Sequence, residues 1–241
     1  MEFSNPNDIK ASFEKAGGEF LSPLSVFKEK LHAIKAFVFD WDGVFNDGFK
    51  KDNQGSPFSE PSSMGLNMLR FSYFLKHGKL PYVFIITGEN NLPAIKLSER
   101  EHFTGVYLNV RNKLAALEHI TTTYAIEANQ VAFTFDDILD LGMAEKAGLR
   151  MVVRRKSNPL LDVFIAKNNL ADYKTGAEGQ EHAVREVSEL IIGLNGNYGQ
   201  TLHDRLNFSA VYKKYLDQRN SYSPQYFEGS TGAIGEYVRP E

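Results

Sequence analysis

Cysteine is missing from all 241 residues, which removes disulfides, thiol nucleophiles and thiolate-bound metals from consideration. The chain therefore fits a reducing compartment. Long apolar runs are missing as well: no stretch approaches the roughly 20 residues that span a bilayer. The opening, Met1 to Lys10, is polar where a signal peptide would be basic and then apolar. A cytoplasmic protein with no membrane partner is expected. Charge excess is also lacking, since 27 Lys and Arg against 30 Asp and Glu leave a net charge of -3. That balance argues against a nucleic-acid partner. Arg154-Arg155-Lys156 is the single tight basic cluster and reads as a solvated loop. The six histidines show no H-x-x-x-H spacing, so zinc-type ligation is not indicated.

What is present is an alternation of short apolar runs and helical patterns. The stretch Ala36-Phe37-Val38-Phe39 has the length and β-branched or aromatic character of one buried strand, and it stops at Asp40 and Asp42, with Gly43 allowing a turn. Further strands are expected at Tyr82 to Ile86, Val106 to Leu108, Val131 to Phe135 and Met151 to Val153, with helices between them. This order predicts an α/β, doubly wound, Rossmann-like parallel sheet with flanking helices. Two short helices are expected over residues 1–33, at Asn7 to Lys15 and Pro23 to Leu31, with Ser22 as an N-cap. Asp47-Gly48 and Asn53-Gln54-Gly55 punctuate a segment that reads as a β-hairpin flap beside the carboxylates. A helix from Glu181 to Leu194 closes the main unit, residues 34–194. Residues 195–241 form an extension with a helix over Leu202 to Leu216 and a Gly/Ser/Tyr/Pro-rich tail, either disordered or laid as a strap on a partner.

Strands of an open parallel sheet deliver their last side chains to one crevice. Successive strand ends here carry Asp40 with Asp42, then Thr87 with Gly88, then Lys113 at a helix start, then Asp136, Asp137 and Asp140. Each has a bland reading: an Asp-Gly turn, a helix cap, a surface lysine, carboxylates complementing a helix dipole. Together they supply the parts of phosphoryl transfer. Bringing a carboxylate within about 4 Å of a phosphate dianion at an effective dielectric near 20 costs roughly 8 kcal/mol. A Mg²⁺ ion held by Asp40, the backbone carbonyl of Asp42 and Asp136 would cancel that cost, with Lys113 as a second positive charge. Thr87 and backbone N–H groups near Gly88 would hold the remaining phosphoryl oxygens. Asp40 would then be the nucleophile and Asp42 the general acid and base, with Asp137 and Asp140 in support.

The motifs D-W-D-G-V, I-I-T-G, the lone Lys113 and D-D-I-L-D resemble the four motifs of the haloacid-dehalogenase (HAD) superfamily of phosphatases. Lys113 precedes the Asp136-Asp137 pair, unlike the order in phospho-receiver domains. Asp47-Gly48 and Ala183-Val184-Arg185-Glu186-Val187 further resemble the capless branch typified by 3-deoxy-D-manno-octulosonate 8-phosphate (KDO 8-phosphate) phosphatase. The resemblance spans about Ile34 to Leu194. It implies a Mg²⁺-dependent phosphatase with no inserted cap, a small phosphorylated sugar or sugar acid as substrate, and a homo-oligomer, a tetramer, whose neighbours cover each site. Four positions depart from that branch: Phe135 where it has Gly, Glu89 where it often has Arg, Pro61-Ser62-Ser63 for Arg-Asp-Gly, and Asn109 for Gly. Glu89 would face the substrate and disfavour carboxylates there. The competing expectation is a silent binding or regulatory protein on the same fold. Retention of a self-repelling carboxylate cluster favours the enzyme.

Overall fold

The computed structural model describes residues 5–50, 55–229 and 233–238, and their strands join in one nine-stranded sheet. In chain order, α1 (Pro6–Lys15), β1 (Glu19–Phe20) and α2 (Leu24–Ala33) precede β2 (Ala36–Asp40). Next come α3 (Glu60–His77), β3 (Tyr82–Ile86), α4 (Leu92–Glu101), β4 (Gly105–Leu108), α5 (Lys113–Thr123) and β5 (Val131–Phe135). A 3-10 turn (Ile138–Asp140) and α6 (Leu141–Ala144) lead to β6 (Leu149–Val152), α7 (Pro159–Lys167) and β7 (Tyr173–Lys174). Three helices, α8 (Ala183–Asn195), α9 (Tyr198–Leu206) and α10 (Ala210–Asn220), precede β8 (Gln225–Glu228) and β9 (Gly235–Glu236).

The strand order is β1-β7-β6-β5-β2-β3-β4-β8-β9, and the outermost pairs at each edge are antiparallel while the rest are parallel. The chain moves from β2 outward to β3 and β4, then returns to the other side of β2 for β5, β6 and β7. The order reverses at β2, so the crevice opens at its carboxyl end. Alternation along β2 feeds two cores: Phe37 and Phe39 pack with Leu66 and Leu69 of α3 and Val187 and Ile191 of α8, while Ala36 and Val38 pack with Leu117 and Ile120 of α5 and Met143 of α6. Each buried aromatic or branched side chain contributes about 1.5–3 kcal/mol. Helix α3 starts where the Ser59 side chain accepts from Ser62 N and stops at left-handed Gly78.

Several expectations are corrected. No strand forms among the described residues of the expected hairpin, 47–50 and 55–59, and its turn at Asn53-Gln54 lies outside the described residues. Polar groups of this segment are used elsewhere: Trp41 Nε1 donates to Ser56 O at 3.1 Å, and Asn46 Nδ2 to Pro57 O at 3.0 Å. Ser22 does not cap α2, and its buried hydroxyl has no hydrogen-bond partner. The single helix expected over Leu202 to Leu216 is two, α9 and α10, broken where Phe208 takes a positive φ and Ser209 begins a new cap. The described part of the tail forms strands on this chain's own sheet. Strand β8 pairs in parallel with β4, and Phe227 is buried against Tyr107 with ring centroids 4.8 Å apart. The strands β1 and β7, two residues each, and helix α7 have no counterpart in the sequence reading.

Candidate active site

Asp40 is the last residue of β2, and burial leaves its side chain 8 % exposed. Lys113, the first residue of α5, reaches it with Nζ at 2.5 Å and also pairs with Asp140 Oδ1. Asp140 closes the 3-10 turn after β5, and its other oxygen accepts from the backbone N–H of Asp136 (3.3 Å) and Asp137 (3.1 Å). One carboxylate oxygen each from Asp40, Asp136 and Asp140 can be chosen so that all lie within 4.8 Å of one another. Arg155 approaches from the loop after β6 and pairs through Nε with Asp136 Oδ2. Three buried carboxylates thus face two cations and leave one negative charge uncompensated.

The titration behaviour follows from this imbalance. Burial pushes Asp40 well above the ordinary carboxylate range, Lys113 pulling it down and Asp140 and Asp136 pushing it further up. Burial and Asp140 together push Asp136 up to about 6 against the pull of Arg155. For Lys113 burial acts downward, but Asp40 and Asp140 outweigh it and hold the ammonium above the usual lysine range. A hard divalent cation fits such a place: the donors are oxygens, and the missing charge is positive.

Asp42 lies two residues along but in different company. Its Oδ1 accepts from Ser56 Oγ at 2.5 Å and its Oδ2 from Asn91 Nδ2 at 3.1 Å, with Lys50 Nζ at 3.6 Å. Gly43 permits this tight corner: its φ is +86°, and a Cβ there would lie 2.0 Å from Asp136 Oδ2. Thr87 is fully buried behind the cleft, where Oγ1 accepts from Asn91 Nδ2 at 2.6 Å. Gly88, Glu89, Lys113, Asp137 and Asp140 line a cleft of about 250 Å³ together with Asp40 and Asp42. Asp137 is turned outward, its Oδ1 capping Ile138 N at 2.8 Å, so its local role is that of a turn cap.

Four residues of this arrangement were not singled out from sequence: Lys50, Ser56, Asn91 and Arg155. The basic cluster read as a solvated loop is largely engaged. Arg154 donates to Thr175 O at 3.0 Å and Gly17 O at 2.9 Å, and Arg155 holds Asp136. The available signal was its position just past a strand neighbouring β5 in the sheet. The four departures also find local explanations. Phe135 stacks on Phe133 in the core, and Asn109 adopts the left-handed backbone (φ 56°) that the branch's glycine would take freely. Pro61-Ser62-Ser63 is the first turn of α3. Glu89 lines the cleft and pairs with Lys50.

Comparison with known proteins places these features. No protein-family profile matches the chain. The KDO 8-phosphate phosphatase KdsC of Escherichia coli K12 is 30 % identical over 171 residues, covering 69 % of this chain and 84 % of the relative. The structure of the Moraxella catarrhalis KDO 8-phosphate phosphatase, in complex with magnesium, phosphate and KDO, superposes with a TM-score of 0.63 at 26 % identity, covering 74 % of this chain and 97 % of the other. The Yersinia pestis enzyme gives a TM-score of 0.57 at 28 % identity over 70 % of this chain and 86 % of the other. No helix among the described residues is long and apolar enough to cross a membrane.

Proposed function

The chain belongs to the haloacid-dehalogenase superfamily, among its KdsC-like phosphoric monoester hydrolases, and from that premise we propose that it hydrolyses a small sugar or sugar-acid phosphate with Mg²⁺, through an aspartyl-phosphate on Asp40. The observation that carries this reading is the buried trio Asp40, Asp136 and Asp140 at the sheet's switch point, with Lys113 bridging Asp40 and Asp140. Asp40, Asp136 and the backbone carbonyl of Asp42 would hold the ion, and when bound it supplies positive charge to the phosphoryl oxygens. Asp140 serves indirectly by fixing Lys113.

Asp40 Oδ attacks phosphorus, and the bond to the ester oxygen breaks in line with that attack. Asp42 gives its proton to the departing oxygen. It then takes a proton from water, which attacks the phosphorus of the acyl phosphate and returns Asp40 as a carboxylate. Lys113 offsets negative charge beside the nucleophile, and Thr87 with the Gly88 N–H group takes phosphoryl oxygens. The same family reading carries a homotetramer in the cytoplasm, for which light scattering on the full chain is the check.

Phosphate release from a panel of sugar and sugar-acid phosphates, with Mg²⁺ and with chelator, tests the reaction. Turnover of at least one ester that stops on chelation is expected. A chain that releases phosphate from none of them, at saturating Mg²⁺, overturns the reading in favour of a silent binding protein.

A further inference from the structure

Asn91 stands at the N-cap of α4, where an asparagine side chain ordinarily accepts a hydrogen bond from its own helix. It makes no such bond. Its side chain is instead buried, the residue being 1 % exposed, and it spans two elements of the cleft. Nδ2 donates to Asp42 Oδ2 at 3.1 Å and to Thr87 Oγ1 at 2.6 Å, while Oδ1 accepts from Ser56 N at 3.4 Å. This last bond fixes which way the amide faces, because the flipped amide would set its oxygen against the Asp42 carboxylate. Giving up a helix cap lowers the stability of the helix. Something other than helix stability accounts for this placement.

Resting on the phosphatase reading above, we propose that Asn91 is a positioning residue that ties Asp42 and Thr87 into one unit. Two consequences follow from the hydrogen-bond directions. Thr87 Oγ1 accepts from Asn91 Nδ2 and, at 3.4 Å, from Glu89 N, so both lone pairs are engaged and its own proton is left to donate to a phosphoryl oxygen. Asp42 is held by Asn91 on one oxygen and by Ser56 Oγ on the other, so its carboxyl has a fixed direction relative to Asp40. The proton donor for the leaving oxygen and the hydroxyl that reads the phosphate therefore keep a set spacing. Misplacing such a group by about 1 Å can cost 100-fold in rate.

The test compares leaving groups in the full chain with Mg²⁺. An alkyl phosphate needs a proton at the departing oxygen, and a nitrophenyl phosphate leaves without one, so kcat/KM for the two esters separates the placement of Asp42 from the rest of the site. Asn91→Ala is expected to lower kcat/KM for the alkyl ester about 100-fold and for the aryl ester about 10-fold or less. Asn91→Asp keeps the shape but turns a donor into a carboxylate facing Asp42, and is expected to be no better than alanine. Ser56→Ala, which removes the other donor to Asp42 and leaves Thr87 alone, should show the same selectivity with a smaller loss and an unchanged KM for the aryl ester. An equal loss on both esters in Asn91→Ala and in Ser56→Ala overturns the assignment while leaving the phosphatase reading in place. A wild-type chain that hydrolyses neither ester overturns that reading and the assignment with it.

Discussion

Asp40 and Asp42 leave the same strand two residues apart, yet their surroundings share little. Asp40 sits in an ionic cluster with a side chain 8 % exposed, against Lys113 and two further carboxylates. Asp42 is 24 % exposed and is held by a hydroxyl and an amide, with a lysine at the edge of contact. A carboxylate clamped beside a cation is kept ready as an anion once the missing positive charge is supplied. Asp42 is more open to solvent and is held in a fixed direction by Ser56 and Asn91. One strand end can serve both nucleophilic and acid–base roles because burial of the position divides the two carboxylates, the residue type being the same.

The largest effect that would break this comparison is expected from Asp40→Asn, which removes the anionic nucleophile without altering shape. Phosphate release should fall to background while the melting transition persists. Asp42→Asn should retain more, with a loss of about 10²–10⁴-fold, and it should accumulate phosphorylated chain that intact-mass measurement detects. Equal residual activity in the two variants would remove the proposed division of roles.

A second effect separates the two sides by pH. Asp136 is pushed up to about 6 in the fold by burial and Asp140, against about 3.9 for an unfolded aspartate. Between these values the folded chain holds a proton that the unfolded chain has lost. The metal-free protein is therefore favoured at low pH by this group, and the contribution disappears as pH rises through about 6. Added Mg²⁺ should raise the melting temperature more at about pH 7 than at about pH 5, because below pH 6 it must displace the proton. A stabilisation of about 2.7 kcal/mol is expected when the ion is 100-fold above its Kd. A Mg²⁺ effect equal at both pH values would count against Asp136 as a ligand of the ion.

Much of the first side was legible in the sequence, and the second much less. Strands β3 and β5 fall where expected, because a strand buried on both faces must be an unbroken apolar run. Asp40, Asp136 and Lys113 stood out because strand ends of a parallel sheet converge by topology. Asn91, Ser56 and Arg155 did not stand out, since each acts only where loops from distant parts of the chain meet. Along the sequence Arg155 reads as part of a solvated loop, and Asn91 and Ser56 belong to no motif. Strand β8 was illegible for the same reason: its partner, β4, lies far back in the chain, and a tail rich in Gly and Tyr has no core of its own.

Smaller is the effect expected at the rim. Glu89 carries negative charge into the cleft, but Lys50 pairs with it and also lies 3.6 Å from Asp42. Glu89→Arg should shift the preference between acidic and neutral sugar phosphates toward the acidic, by a few-fold, about 1 kcal/mol for a partly exposed pair. Lys50 is released in that variant, so its effect should include a modest change at Asp42. An unchanged ranking of substrates would show that Glu89 does not face the sugar.

The smallest expected effect comes from the tail and asks whether the Asp42 side is tied to the edge of the sheet. Strand β9 brings Tyr237 to the loop after β3, where Asn90 Nδ2 donates to its hydroxyl at 3.2 Å. Asn90 directly precedes Asn91, so the tail touches the segment that orients Asp42 and Thr87, and among its described residues none makes a comparable contact with Asp40. Tyr237→Phe removes the exposed hydroxyl that Asn90 meets with both its amide atoms, each hydrogen bond contributing about 0.5–1.5 kcal/mol at most. If the loop takes its position partly from the tail, kcat/KM for an alkyl phosphate should fall about two- to five-fold, while Mg²⁺ affinity, set on the Asp40 side, stays as it was. The direction matters more than the size. A change in Mg²⁺ affinity with no change in turnover would mean that the tail supports the metal side of the site, and the separation drawn between the two carboxylates would have to be redrawn around the sheet edge.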